Sequence, residues 1–189
     1  KGQIQETNMA VTTGSTAANI ISLTHGTIRN YTSLSVSEIT SIISQPPDFN
    51  ITENSDIQVL IMHTHTTESY VSMDLGYYIK GSATRTTDLN NNMARVGDEI
   101  AKELTAAGIG VVHDTTLHDY PSYTNSYTRS AATVKAYLAK YPTIKVVLDV
   151  HLDAIVRADG TWVKPVATVN GKKAAQVMII SGCDNGTMG

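Results

Sequence analysis

Three short apolar runs constrain this chain most: 57-IQVLIM-62, 109-IGVVHD-114 and 144-IKVVLDVH-151. Such short, Ile- and Val-rich runs read as strands buried on both faces. Between them lie two stretches of helical period. In 90-NNNMARVGDEIAKELTAAG-108, Met93, Val96, Ile100 and Leu104 recur on one face, and Gly108 is placed as the stop. In 126-SYTRSAATVKAYLAKYP-142, Ala132, Val134, Leu138 and Tyr141 are the expected packing residues, and Pro142 closes the helix. Strand, helix, strand, helix, strand is the order of parallel βαβ units with right-handed crossovers. The expected fold is α/β: three-layer, with a mostly parallel sheet flanked by helices. Sites in such sheets form at the carboxyl ends of the strands.

The remaining chain reads less regularly. Residues 1–34 look like loop with one short element, and 71–87 like a loop or hairpin. The stretch 35-SVSEITSIISQ-45 reads as a helix, with Ser35 and Glu38 at capping-box spacing and Val36, Ile39, Ile42 and Ile43 on one face. A hairpin is expected at 160–171, from Gly160 and the Asn170-Gly171 pair, followed by a strand at 176–181. The domain reading is an N-terminal extension, 1–50, partly helical, and a catalytic domain, 51–189.

The composition excludes several classes. Fourteen basic and 17 acidic residues give a net charge of -3 with no basic patch, which argues against nucleic acid. Charged residues make up only 16% of the chain, and a neutral glycan or peptide-glycan suits this surface better than a polyanion. Cys183 is the only cysteine, expected as a small buried hydrophobe. No apolar run is long enough to span a membrane. The chain begins at Lys1 rather than Met and is read as a fragment, its signal or anchor lying outside it.

The strand ends carry the chemistry. The first strand runs into His63, His65 and Glu68, the second into His113 and Asp114, and the third into Asp149, His151 and Asp153. Residues two apart on a strand point the same way, so His63 and His65 are expected to face one pocket, and Asp149, His151 and Asp153 another side of it. Two histidines and a carboxylate with one open position make a catalytic zinc site. The remaining acids are expected to hold the histidine tautomers. Cys183 and Asp184 are read as part of a loop, and His25 and His118 as surface residues. No GxSxG elbow supports a Ser-His-Asp triad, and there is no GxxxxGK[ST] phosphate loop.

Five runs then resemble one family: 60-LIMHTHTTESY-70, 111-VVHDTTLHDYPSY-123, 126-SYTRSAATVKAYLAKYP-142, 148-LDVHLDA-154 and 171-GKKAAQVMIISGCDNG-186. Collinear over about 57–186, they are similar to the stage II sporulation protein P family. The resemblance implies a cell-wall hydrolase that acts in forespore engulfment. It implies cleavage of the amide between N-acetylmuramic acid and L-alanine, and of peptide crosslinks, in peptidoglycan. Its implied partners are sporulation protein D, a lytic transglycosylase, and the membrane protein sporulation protein M. The implied location is outside the cytoplasm, on one N-terminal membrane helix.

The family is similar in turn to zinc-dependent N-acetylmuramoyl-L-alanine amidases, which implies an amidase-like fold and a Zn2+ cofactor. Carried onto this chain, the amidase pattern gives His65 and His151 as zinc ligands. The acidic ligand falls at Asp88, ahead of Asn92-Met93, with Glu68 as the other candidate. Glu68 and His63 are the expected catalytic groups. Asp149, Asp153, His113 and Asp114 are expected to support the ligands or touch substrate. Three departures stand out. Asp88 replaces a glutamate. Leu152 stands where His-Arg-Asp-Ala would have arginine. The late catalytic glutamate is not in the sequence, so the last elements of the domain are expected to be missing. The rival readings are a non-catalytic module that binds peptidoglycan or the engulfment partners, and another zinc hydrolase such as a polysaccharide deacetylase.

Overall fold

The computed structural model describes residues 1–8, 20–23, 26–71, 73–176 and 178–180. Its elements are β1 (Gly2–Thr7), β2 (Ile20–Leu23), β3 (Gly26–Arg29), α1 (Val36–Ile43), β4 (Asn54–Met62), β5 (Tyr77–Tyr78), α2 (Met93–Ala106), β6 (Ile109–His113), α3 (Ser126–Lys140), β7 (Val146–Asp149), β8 (Ile155–Val156), β9 (Trp162–Val169) and β10 (Lys172–Ala175). The fold is α/β. The chain forms two compact units, one of Lys1–Gly2 with Phe49–Ala154 and one of Gln3–Asp48 with Ile155–Gly189.

The first unit is built on a parallel sheet of order β6-β4-β7. Its central strand is the run 57–62, and Leu60 and Ile61 are fully buried, with Val59 and Met62 nearly so. Burying side chains of this size stabilises the fold by about 1.5–3 kcal/mol each. Register places Ile61 opposite His113 and Met62 opposite Asp149, so all three strands finish at one edge. β7 lies at the side of the sheet, and Val147 and Leu148 stay more than a third exposed.

Helix α2 begins where the Asn92 side chain accepts the Ala94 amide, and it stops before Gly108 at φ +78°. Its stripe of Met93, Ala94 and Gly97 is buried, with Val96, Ile100 and Leu104 partly so. Helix α3 departs from its apolar pattern. Ala132 and Leu138 are exposed and Val134 is only half-buried, whereas Ser126 and Ser130 are buried. Ser126, Ser130, Thr133 and Tyr137 follow one helical face. That polar face packs inward because it meets polar groups at the strand ends. Val134 and Leu138 instead line an open groove of about 420 Å3 beside Val147.

In the second unit β1 pairs parallel with β9, and β9 pairs antiparallel with β8 and with β10. The Asn170-Gly171 turn joins β9 to β10, with φ of 50° and 75°, values that suit an Asn-Gly hairpin turn. The hairpin therefore spans 162–175 rather than 160–171, and Gly160 makes a separate turn ahead of β9. The described residues of the N-terminal region hold three strands, more than its composition suggested. Helix α1 has its capping box: the Glu38 amide reaches Ser35 Oγ at 3.3 Å, and the Ser35 amide reaches Glu38 Oε2 at 2.7 Å. Only Ile39 of its apolar face is buried. The strand expected at 176–181 does not form over Met178–Ile180, whose three apolar side chains are exposed; Gln176 only extends the β10 edge, its amide reaching the Pro165 carbonyl at 3.3 Å. His25, Cys183 and Asp184 lie outside the described residues.

Candidate metal centre

Strand β4 ends at Met62, and residues 64–67 turn. The alternation of a strand no longer applies beyond Met62, so His63 and His65 do not share a pocket. His65 and Glu68 point to His151, which follows β7, and the ligand atoms of these three lie within 4.8 Å of one another. His65 Nδ1 is 3.4 Å from Glu68 Oε1, and His151 Nδ1 is 3.6 Å from Glu68 Oε2. A tetrahedral zinc site with bonds of 2.0–2.1 Å holds neighbouring donors about 3.4 Å apart. The spacing fits.

The outer nitrogens are held as a metal site requires. His65 Nε2 lies 3.1 Å from Ser126 Oγ, at the start of α3. His151 Nε2 lies 2.9 Å from Asp149 Oδ2. Donation through Nε2–H in both rings leaves both Nδ1 lone pairs turned to the centre. Asp149 is fixed in turn by the Thr64 amide at 2.8 Å and hydroxyl at 2.7 Å. Glu68 is held by the Leu152 amide at 2.9 Å and by Arg85 at 3.2 Å. Arg85 also bridges to Asp119 at 2.6 Å, whose carboxylate accepts the Thr67 amide and hydroxyl.

Electrostatics differ between the two histidines. Burial pushes the His65 pKa down, with the neighbouring His151 adding to it against Glu68. Hydrogen bonds to Asp149 first, then Glu68, push His151 up to about 9, against burial. Burial alone would raise Glu68 and Asp149, but hydrogen bonds from His151 and from backbone amides outweigh it and hold both below the usual carboxylate range. Without metal, then, His151 carries a proton that a metal must displace.

Aromatic rings border the centre. Tyr123 stacks on His65, ring centroids 4.7 Å apart and planes at 17°, and Tyr127 meets His65 edge-on at 5.3 Å. Both tyrosines are more than half exposed.

Several expected residues take other places. Asp88 is not in the metal group; its oxygens accept from the Asn90 amide and from the Asn90 and Asn91 side chains, so it shapes the turn before α2. Glu68, not Asp88, is the carboxylate grouped with His65 and His151. His63 is fully buried and meets His113, not His65. Asp114 caps Thr116 and lies 3.4 Å from the Tyr137 hydroxyl. Asp153 accepts from the Ala154 amide in an exposed position. His118 is 2% exposed, not a surface group; it donates to the His63 carbonyl and bonds Thr133. The sequence reading missed Ser126, Arg85, Asp119, Tyr123 and Tyr127. For all but Arg85 the signal was the polar, aromatic run 119-DYPSYTNSY-127 that leads into α3, which hydrophobic periodicity does not register.

The family model for stage II sporulation protein P matches residues 3–188. The chain belongs to this sporulation family. It is 32% identical over 130 residues, 66% of its length, to the stage II sporulation protein P of Bacillus subtilis (strain 168), and that alignment covers 30% of the relative. The chain thus spans under a third of that relative's length. No solved structure matches it. No helix among the described residues is long and apolar enough to cross a membrane.

Proposed function

We propose that this chain carries a zinc-dependent peptidoglycan hydrolase centre acting in sporulation, cleaving the amide between N-acetylmuramic acid and L-alanine and, at the same centre, peptide crosslinks. One observation carries the reading. His65 Nδ1 and His151 Nδ1 face the two oxygens of Glu68 at 3.4 and 3.6 Å while both outer nitrogens are tied down. Family membership supports the setting of the forespore and its wall. Sporulation proteins D and M are the proposed partners, and the proposed location is outside the cytoplasm.

His65, Glu68 and His151 would hold the ion. Zinc bound there supplies a Lewis acid that polarises the scissile carbonyl and makes water nucleophilic near neutral pH. The chain's own groups do the rest. Asp149, which can only accept, keeps His151 in the tautomer that leaves Nδ1 free, and Ser126 orients the His65 ring. Arg85 and the Leu152 amide steady Glu68. The exposed rings of Tyr123 and Tyr127 offer a surface for the sugar or lactyl side of the bond.

A second reading, a non-catalytic peptidoglycan- or partner-binding module, is favoured by one fact. Among the described residues the centre contains one glutamate, and it stands as a ligand rather than as a base. Chelator-free protein, assayed by elemental mass spectrometry and then incubated with purified walls, separates the two. About one zinc per chain and new L-alanine amino groups are expected, both lost in His65→Ala. One zinc with no released amino groups would favour the binding module, and released acetate a deacetylase.

A further inference from the structure

Beside the metal group lies a second histidine cluster that the proposed chemistry does not use. His63 and His113 face each other, Nε2 to Nε2, at 2.9 Å. His63 Nδ1 lies 2.9 Å from the Val150 carbonyl oxygen, which can only accept, so Nδ1 carries the proton. The two Nε2 atoms share one hydrogen bond, which ties the His63 ring to His113. His113 Nδ1 in turn lies 3.0 Å from Asp98 Oδ1 on α2. The cluster is not a second metal site. Its paired nitrogens have no third ligand atom close enough to join them among the described residues.

Its position explains what it can do. The metal ligands come from two separate strand ends: His65 and Glu68 follow β4, and His151 follows β7. The β4–β7 pairing stops at Met62 opposite Asp149. Beyond it, the Val150 amide donates to the Met62 carbonyl at 2.9 Å, and the Val150 carbonyl receives His63 Nδ1–H. Both backbone polar groups of Val150, the residue immediately before His151, are thereby held. Residue 63 is itself anchored, its carbonyl accepting from His118 Nδ1 at 2.8 Å and Thr66 Oγ1 at 3.0 Å. Helix α2 leaves room for the rings only because residue 97 is glycine: a Cβ there would lie 2.7 Å from His63 Nε2 and closer still to His113.

We infer that His63 is a positioning residue that braces the two halves of the metal centre, its imidazole fixing the Val150 carbonyl and being fixed in turn through His113 and Asp98. The inference rests on the zinc reading for its consequence but not for its geometry. The brace sets the separation of His151 from His65 and Glu68, and so sets metal affinity. Groups that orient ligands in this way typically contribute about 10–100-fold in affinity.

The test compares wild type, His63→Ala and His63→Asn. Asn can offer an N–H near the place of Nδ1 but cannot reach His113. Zinc affinity is read by chelator competition well below the melting temperature, and geometry by the visible spectrum of the Co2+-loaded protein. Expected are a 10–100-fold loss of zinc affinity and an altered Co2+ spectrum in His63→Ala, with recovery to within about fivefold in His63→Asn. A purely structural role would lower thermal stability in His63→Ala yet leave affinity and spectrum as in wild type, and that result overturns the inference. Asp98→Ala, altered at a half-exposed side chain, serves where His63→Ala does not fold; an unchanged affinity there and in His63→Asn also overturns it. Amide hydrogen exchange of metal-free protein separates failures. If wild type binds no metal, yet His63→Ala speeds exchange of the Leu152 amide at least tenfold with Leu60 unchanged, the zinc reading fails and the brace stands. Equal exchange rates for Leu152 in both proteins sink the brace itself.

Discussion

His63 and His65 sit two residues apart in one sequence run, and the structure sends them to opposite tasks. His65 joins Glu68 and His151 at the mouth of the sheet edge, beside two exposed tyrosines. His63 is fully buried and ends in a chain of imidazoles that leads to α2. Both clusters use two histidines and an acid. They differ in where the second nitrogen of each ring goes. In the first, Ser126 and Asp149 take the outer nitrogens and leave both Nδ1 atoms facing the Glu68 carboxylate. In the second, His63 and His113 spend their inner nitrogens on each other. A metal centre is thus made as much by what satisfies the far side of each ring as by the ligands themselves.

The largest test of this contrast removes a ligand. His65→Ala or His151→Ala should reduce zinc from about one per chain to near zero by elemental analysis, with the circular dichroism spectrum of the fold retained. Zinc retained in either variant refutes the assignment. Gly97→Ala should act on the other cluster. Its Cβ would crowd both imidazoles, and overpacking of this kind costs about 1–3 kcal/mol, measurable as a lower thermal midpoint. A midpoint equal to wild type would mean the rings have room the structure does not show.

A smaller effect is expected from Ser126→Ala, which frees His65 Nε2. Zinc affinity should fall about tenfold while the melting temperature barely moves. An unchanged affinity would mean that another group sets the His65 tautomer. Next comes pH. The His151 pKa is raised to about 9, so the folded chain binds that proton more tightly than the unfolded chain. Its stabilisation is full below about 6.5 and is lost as pH rises through about 9. The imidazole is partly exposed, so the metal-free protein should lose only about 1–2 kcal/mol between pH 6 and pH 9.5. Denaturant midpoints at the two pH values measure it, and His151→Ala should flatten the difference. The smallest effect sharpens the comparison by its absence. Asp88→Ala should leave zinc content unchanged, since the Asp88 carboxylate is used by Asn90 and Asn91.

Helix α3 shows why part of the site was hard to read. Its apolar residues Val134 and Leu138 look like the core face, yet they border an open groove. Its serines and Thr133 pack inward because Thr64, His65 and His118 wait there. Periodicity measures hydrophobicity, and a helix that seats a polar site inverts the signal. Likewise the expected strand at 176–181 had the right residues, but a strand needs a pairing edge that sequence does not record.

Local chemistry determined much by itself. The β4 run, the start of α2 and its stop at Gly108, the Ser35 capping box and the Asn170-Gly171 turn all follow from residues within a few positions of one another. So do the strand ends as the place of the histidines, because parallel strands finish together. Tertiary structure decided the rest: that Glu68 and not Asp88 lies with His65 and His151, that His63 turns away to His113, and that Ser126 joins Asp149 behind the rings. Those choices depend on contacts between residues up to 87 positions apart, set by strand register and by the turn that follows Met62, and no local spacing encodes which nitrogen will find a partner.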